Sequence, residues 1–200
     1  LDLLAAALMG FMILRMGAAL AWGALKELID TGLDAARVEA ISRTLLATPG
    51  VCGLHELRTR RMAHQALVDA HVQVAARISV SEGHRIAESA RARVLREYPD
   101  VLDVLVHIDP EDDHDPDVAA VRSPSRQVVL DDLTGLLVDL PRPERVVLHY
   151  LGGGVEVEVF MAHDFFADIQ ALRSAEANLS ELIKGHPVIR SISLNFRIAP

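Results

Sequence analysis

The sequence predicts an α+β protein in which one long apolar helix precedes two tandem α-β-β-α-β units. The helix is predicted because residues Leu3 to Leu25 are almost all hydrophobic. Strands are predicted where apolar and polar side chains alternate, first over Val68–Val74 and again over Val155–Met161. Each alternating segment lies between a strand-like partner and a long helical pattern. The same order of elements therefore occurs twice, matched in pattern rather than in residues.

The composition argues against several functional classes. The chain has 200 residues, of which 50% are hydrophobic, and its formal net charge is −8. Such an acidic chain is unsuited to nucleic acid, because neutralising phosphates requires clustered lysine and arginine. The single cysteine, Cys52, excludes an internal disulfide and fits a reducing compartment. The mean hydropathy of +0.24 is high for a soluble chain, and the excess lies at the N-terminus.

Residues 1–33 are predicted to form a membrane helix and its exit into water. The apolar run meets the roughly 20 residues needed to cross a bilayer core, and Arg15 is its one charge. It lacks the basic start and the small-residue cleavage site of a signal peptide. The alternative is the core helix of a soluble domain. The sequence disfavours it, because nothing nearby is apolar enough to cover the helix all round.

Residues 34–111 are predicted to form the first α-β-β-α-β unit. Asp34 is a candidate N-cap of its first helix, and Ser79 opens a capping box for the second. The predicted elements are a helix at 34–47, strands at 51–60 and 65–75, a helix at 79–98 and a strand at 101–108. This order predicts a small sheet with two helices on one face.

The remaining residues are predicted to form a linker and a second unit. Residues 112–125 begin as an acidic, solvated segment by composition. Residues 126–200 then repeat the order of elements. The predicted elements are a helix at 126–140, strands at 145–151 and 155–161 joined by a glycine turn, a helix at 165–184 and a strand at 188–198.

Histidines and an aspartate on the strands of the first unit form a candidate metal site. His107 and Asp109 are two residues apart, so both project from the same side of one strand. His55 and His71 lie on the other two strands, within reach if the strands are neighbours. Imidazole and carboxylate without thiolate suit Zn²⁺ or a similar divalent ion. For any one of these residues alone, a surface or hydrogen-bonded role is the simpler alternative.

Several motifs carry a family resemblance. They are Gly53-Leu-His55-Glu-Leu-Arg-Thr-Arg60, Asp69-Ala-His71, Ser81-Glu-Gly-His84 and Val106-His107-Ile-Asp109-Pro110. Together with the upstream apolar helix, which ends in Leu28-Ile29-Asp30, they resemble the C-terminal part of the cation diffusion facilitator (cation efflux) family. The resemblance covers residues 1 to about 112.

The resemblance implies a fold, an activity and a set of site residues. The fold is a ferredoxin-like, metallochaperone-like domain that binds metal near a homodimer interface. The activity is proton-coupled export of zinc or another divalent cation, such as Fe²⁺, Mn²⁺, Co²⁺ or Cd²⁺, without an enzymatic step. The implied metal ligands are His55, His71, His84, His107 and Asp109. Asp30 matches an acidic position that makes an ionic contact with another membrane helix; a plain solvent-facing charge is the equal alternative.

The same resemblance implies a location in the inner or plasma membrane, with residues after about 30 in the cytoplasm. The family's transport site, on earlier helices, is not in this chain. The second unit is not part of the domain organisation common to the family. Its last strand has the segment Ile192–Arg197 where the first unit has His107 and Asp109. We expect it to have kept the fold and lost the ligands. The alternative function is a metal-independent dimerisation or protein-interaction module; an enzyme with a catalytic zinc is the weakest reading.

Overall fold

The computed structural model describes residues 2–28, 31–62, 64–112, 124–138, 140–162, 166 and 168–197. The chain divides into two compact units, Leu1–Asp109 and Pro110–Pro200, and each is described by itself. The predicted contact residue Asp30 and most of the predicted linker lie outside the described residues.

The first helix, α1, spans Asp2–Leu28. Its apolar side chains are exposed, including Leu3 at 86% and Phe11 at 62%. The segment Asp2–Leu25 is 24 residues long with a mean hydropathy of 2.0, enough by length and composition to cross a membrane. A core helix buries its apolar side chains, and the apolar window of α1 is not buried. The structure therefore does not place α1 in the core of the first unit.

The first unit contains two helices and three strands in the predicted order. They are α2 Ala35–Leu46, β1 Val51–Met62, β2 Gln65–Val74, α3 Val80–Glu97 and β3 Val101–Asp109. Both predicted caps are present: the Asp34 carboxylate accepts a hydrogen bond from the backbone N–H of Arg37, and the Ser79 hydroxyl accepts one from Glu82. Each bond satisfies a backbone donor that the first helical turn leaves open.

Strand β2 is central in the first sheet, whose order is β1-β2-β3. It pairs antiparallel with β1 and parallel with β3, and α3 provides the crossover between the parallel strands. One face of the sheet packs against α2 and α3. The buried residues of this core are Ile41, Leu45, Val68, Ala70, Ala90, Val94, Val101 and Val104. The odd-numbered side chains of β2 lie on the opposite, more open face.

The second unit repeats this architecture with its own core. Its elements are α4 Arg126–Leu136, β4 Arg145–Leu151, β5 Gly154–Ala162, α5 Ile169–Leu182 and β6 Ile189–Arg197. The sheet order is β4-β5-β6, again antiparallel and then parallel. Its buried residues are Val129, Leu133, Leu137, Val155, Val157, Val159, Met161, Leu179, Ile183, Ile189, Ile192 and Leu194. The predicted α+β class, with an apolar helix and two units, is confirmed.

Two helix boundaries in the second unit differ from the prediction. Helix α4 ends at Leu136 rather than Leu140, with Leu137 as its C-cap. Helix α5 begins at Ile169, four residues later than predicted. Its N-cap is Asp168, whose carboxylate accepts two backbone N–H bonds from the first turn.

Candidate metal centre

The parallel pairing of β2 and β3 brings the predicted ligands of these strands side by side. His71 is the register partner of His107, and Gln73 is the partner of Asp109. Because side chains alternate across a sheet, all four lie on the face opposite the helices. The ring centroids of His71 and His107 are 4.6 Å apart. The open face of the first sheet therefore carries the candidate site.

A β-bulge in β1 adds a third histidine to this face. The regular pairing of β1 with β2 is interrupted between Leu54 and Glu56. A bulge inserts one extra residue into a strand, so Leu54 and Leu57 both pack against the core although they are three residues apart. The two residues between them, His55 and Glu56, both reach side chains on the open face.

Asp109 is the centre of the cluster and is only 2% exposed. Its Oδ2 lies 3.0 Å from Nε2 of His55 and 3.1 Å from Nδ1 of His71. Its Oδ1 lies 2.9 Å from Nε2 of His107. One carboxylate thus contacts an imidazole from each of the three strands. Burying a carboxylate is costly unless donors or a positive charge face it, and here imidazoles fill that role.

The donor set fits a divalent cation. One candidate ligand atom each from His55, His71 and Asp109 lies within 4.8 Å of the others. Imidazole nitrogen and carboxylate oxygen are donor types that such an ion accepts. Exposure of the side chains rises from 9% for His55 to 34% for His71 and 58% for His107. The cluster is therefore open to solvent on the His107 side.

Glu56 is a site residue that the sequence analysis missed. Its Oε2 lies 3.6 Å from Nε2 of His71, whose Nδ1 faces Asp109. Its Oε1 lies 2.6 Å from an Nη of Arg58. Metal-binding histidines commonly have a carboxylate at the second ring nitrogen, which fixes the orientation and tautomer of the ring. Glu56 could be predicted only from its position opposite His71, and that pairing depends on the bulge in β1.

Two other predicted site residues are not part of this cluster. His84 lies in the first turns of α3 with an exposed side chain. Across the part of the chain that the structure describes, the compact group of ligand atoms does not include it. Its role as a ligand stays a prediction. Asp30 lies outside the described residues, so its membrane-exit contact also stays a prediction.

The second sheet has other residues at the ligand positions. Both parallel strand pairs contain the same irregularity directly after their first residue pair, at Ala66 in one sheet and Val155 in the other. Aligning the sheets on this irregularity gives three equivalences: Phe160 for His71, Asn195 for His107 and Arg197 for Asp109. The second unit therefore keeps the sheet and its core without the candidate ligands.

The described histidines of the second unit make local contacts instead. His149 is half-buried, and its Nε2 lies 3.2 Å from Oε1 of Glu158 on the neighbouring strand. Nδ1 of His186 accepts hydrogen bonds from the backbone N–H groups of Val188 and Ile189. Both side chains therefore contact groups within the second unit.

Residues 33–111 match the family described as the cation efflux protein, cytoplasmic domain. This match covers less than half of the chain. The whole chain is 27% identical over 212 residues to Metal tolerance protein C1 of Arabidopsis thaliana. That alignment covers 99% of this chain, including the second unit, and 45% of the relative.

The chain also matches a bacterial relative over a shorter stretch. Over 109 residues it is 30% identical to the Cation-efflux pump FieF of Salmonella arizonae, which covers 54% of this chain and 36% of the pump. The chain thus spans less than half the length of both relatives. Among solved structures, a variant of the MamM C-terminal domain matches 40% of this chain and all of its own length, with 22% identity and a TM-score of 0.39.

Proposed function

We propose that this chain is the metal-sensing C-terminal part of a divalent-cation efflux transporter, with zinc as the first candidate ion. The observation that carries the proposal is the buried Asp109 carboxylate, which contacts imidazoles from three strands. The ion would be held by His55, His71 and Asp109, with His107 at the second carboxylate oxygen. His84 is a further candidate ligand.

Zinc is favoured by the chemistry of the donors. Two imidazoles and one carboxylate, with a third imidazole at the other carboxylate oxygen, are a nitrogen-rich set, which suits a borderline ion such as Zn²⁺ better than the harder Mn²⁺. Fe²⁺, Co²⁺ and Cd²⁺ are the other candidates. The names of the relatives, a metal tolerance protein and a cation-efflux pump, support metal cations as the class without selecting one ion.

Membrane attachment and transport complete the proposal. The uncovered apolar surface of α1 supports a span of the inner or plasma membrane, with residues after about 30 in the cytoplasm. Transport, as an exchange of metal for protons, is proposed for the whole protein. The family resemblance assigns the transport site to other membrane helices. The share of this chain is therefore regulation and dimerisation.

Regulation follows from differential binding. In a homodimer, a metal ion bound at the cluster would directly link strands that are otherwise joined only by the hydrogen bonds of the sheet. It would stabilise whichever conformation of the dimer binds the ion more tightly. A ligand at 100 times its dissociation constant stabilises the bound form by about 2.7 kcal/mol. Inverting a 1:99 equilibrium needs about 5.5 kcal/mol, so one such site shifts a balanced equilibrium but does not reverse a strongly biased one.

Calorimetric titration of Zn²⁺ into the full chain in detergent micelles tests the site. We expect His71→Ala combined with His107→Ala to lower the affinity by more than about 100-fold, beyond the 10- to 100-fold typical of outer-shell changes. His64→Ala, which removes an exposed histidine in the β1–β2 turn, is the matched control and should bind like the parent. If the double variant binds zinc as tightly as the parent, the assignment is wrong.

A second candidate function is a metal-independent dimerisation module. The observation that favours it is the second unit, which conserves the sheet and core but carries Phe160 and Asn195 at positions where the first has histidines. Light scattering of the full chain in micelles, with Zn²⁺ and with a chelator, separates the two. A dimer whose mass, crosslinking pattern and stability are the same in both conditions favours the module. A dimer that changes with metal favours the sensor.

A further inference from the structure

The end of β1 carries a basic and partly apolar hairpin tip, defined as Arg60, Arg61 and Met62. All three side chains are exposed, Met62 by 50%. Arg58 precedes them and lies against Glu56. The adjacent residues Arg60 and Arg61 contrast with the net charge of −8 for the chain. The tip is thus a local positive surface on an acidic protein.

Two hydrogen bonds hold the hairpin tip against the segment that leaves α1. The backbone N–H of Arg61 donates to the carbonyl oxygen of Thr31 at 2.8 Å, and that of Leu33 donates to Oγ1 of Thr59 at 3.0 Å. Between them, Gly32 approaches so closely that a Cβ there would lie 3.3 Å from Oγ1 of Thr59. Tertiary contacts therefore place the tip beside residues 31–33, which follow α1 in the sequence long before the tip does.

The length of chain between α1 and the hairpin tip limits their separation. Helix α1 ends at Leu28, and Thr31 follows three residues later, which spans at most about 10 Å. The polar layer on each side of the hydrocarbon core is about 5–8 Å thick. Beyond it, the potential of an anionic surface extends over about 8 Å at physiological salt. The tip lies within reach of that surface when α1 spans the bilayer.

We infer that the hairpin tip binds anionic phospholipid headgroups of the cytoplasmic leaflet; this inference rests on the membrane span in the proposed function. Arginine and lysine are favoured at the cytoplasmic ends of membrane helices, and each is attracted to anionic lipid. The segment Lys26–Asp34 has one basic and three acidic residues, so the sequence directly after α1 lacks this excess of positive charge. In the folded chain, Arg60 and Arg61 provide this positive charge instead, and Met62 adds the apolar contact of an interfacial anchor.

The test uses the full chain in nanodiscs of phosphatidylcholine, with or without added phosphatidylglycerol. An environment-sensitive dye is attached to Met62→Cys in a Cys52→Ser background, which removes the only native cysteine. We expect the dye emission to shift to the blue when phosphatidylglycerol is present. Arg60→Gln with Arg61→Gln should abolish the shift. About 1 M salt should also abolish it, because the screening length falls to about 3 Å.

A charge-matched control is Arg43→Gln with Arg85→Gln. Both side chains are exposed, one in the last turn of α2 and the other in the early turns of α3, away from the hairpin turn. This variant should keep the shift. A shift of equal size in neutral and anionic discs, or one that survives loss of Arg60 and Arg61, overturns the inference, because it would not depend on the charge of the lipid or of the tip.

Failure of the proposed function can be distinguished from failure of this inference. A chain that does not float with neutral vesicles has no membrane-spanning α1, which overturns the membrane part of the proposed function and this inference together. A chain that floats without any lipid-dependent shift overturns this inference alone. Zinc titration of the same samples reports on the metal centre, which the Arg60 and Arg61 substitutions should leave unchanged.

Discussion

His55 and Asp109 lie on the two outer strands of the first sheet, yet Nε2 of His55 is 3.0 Å from Oδ2 of Asp109. Neighbouring strands are about 4.8 Å apart, so β1 and β3 are separated by roughly 10 Å across β2. The same carboxylate oxygen also contacts His71 on the central strand. An ion bound there would join both edges of the sheet to its centre.

Replacing the central carboxylate should remove metal binding. Asp109→Asn keeps the shape of the side chain but removes its negative charge, and an amide is a much weaker ligand for zinc than a carboxylate. We expect the Zn²⁺ affinity of the full chain, measured by calorimetry, to fall at least about 100-fold. Asp69→Asn is the control, because Asp69 is an exposed carboxylate on the same face of β2. Equal losses in the two variants would contradict a specific site.

Replacing the outer carboxylate should have a smaller effect. Glu56→Gln removes the negative charge near Nε2 of His71 and weakens the constraint on its ring, without removing a ligand. We expect an affinity loss of about 10- to 100-fold with unchanged stoichiometry. Arg58→Gln leaves Glu56 in place and should change the affinity much less. If Glu56→Gln binds like the parent, Glu56 does not position His71.

The sequence alone was sufficient for those parts of the fold that depend on local patterning. The alternation over Val68–Val74 predicted β2, and the side chains of Asp34 and Ser79 predicted the starts of two helices. The spacing of His107 and Asp109 predicted that both lie on one face, which the structure confirms through their contact. Each of these features depends on residues close together in the chain.

The features that the sequence did not predict depend on pairing between strands. The bulge beside Glu56 is visible only in the pairing of β1 with β2. The sequence of β1 alone therefore does not show that His55 and Glu56 both reach the open face. The start of α5 was misplaced because an apolar segment before Asp168 continues the helical pattern past the real cap. Register also reveals which residues of the second sheet replace the ligands.

An ion pair on the surface of the first unit should make its stability depend on pH. Nη2 of Arg91 donates to Oδ1 of Asp103 at 2.8 Å and Nε at 3.1 Å. The Arg91 guanidinium, together with the backbone N–H of Val104, lowers the pKa of Asp103 below its ordinary value of 3.8. A lowered folded-state pKa means that this stabilisation is present above pH 3.8 and is lost as the pH falls through the folded pKa.

The matching experiment compares Asp103→Asn with the parent by thermal unfolding of the full chain in micelles. Because the pair is exposed, its contribution is under about 1 kcal/mol. We expect the variant to be slightly less stable at about pH 7, and the deficit to shrink as the pH falls below 3.8 and the folded-state carboxylate of the parent becomes protonated. A deficit that persists at acid pH would indicate lost packing rather than a lost ion pair.

The equivalence between the two sheets predicts that a metal site can be rebuilt in the second unit. Phe160→His, Asn195→His and Arg197→Asp place imidazole and carboxylate groups at the register positions of the native candidate ligands. The core of the unit lies on the other face of the sheet, so these changes leave its buried residues in place. Loss of the contact between the Arg145 guanidinium and the Phe160 ring, 4.3 Å apart, is the main expected cost.

The rebuilt site is best measured in an Asp109→Asn background, where the native cluster no longer competes. We expect one Zn²⁺ binding event per chain by calorimetry, weaker than that of the parent. The reason is that Arg145, opposite Phe160, stands where the first sheet has the supporting Glu56. A control variant with alanine at the same three positions removes the same side chains without adding metal donors, and it should bind no zinc. If the histidine and alanine variants behave alike, strand register does not identify equivalent positions in the two units.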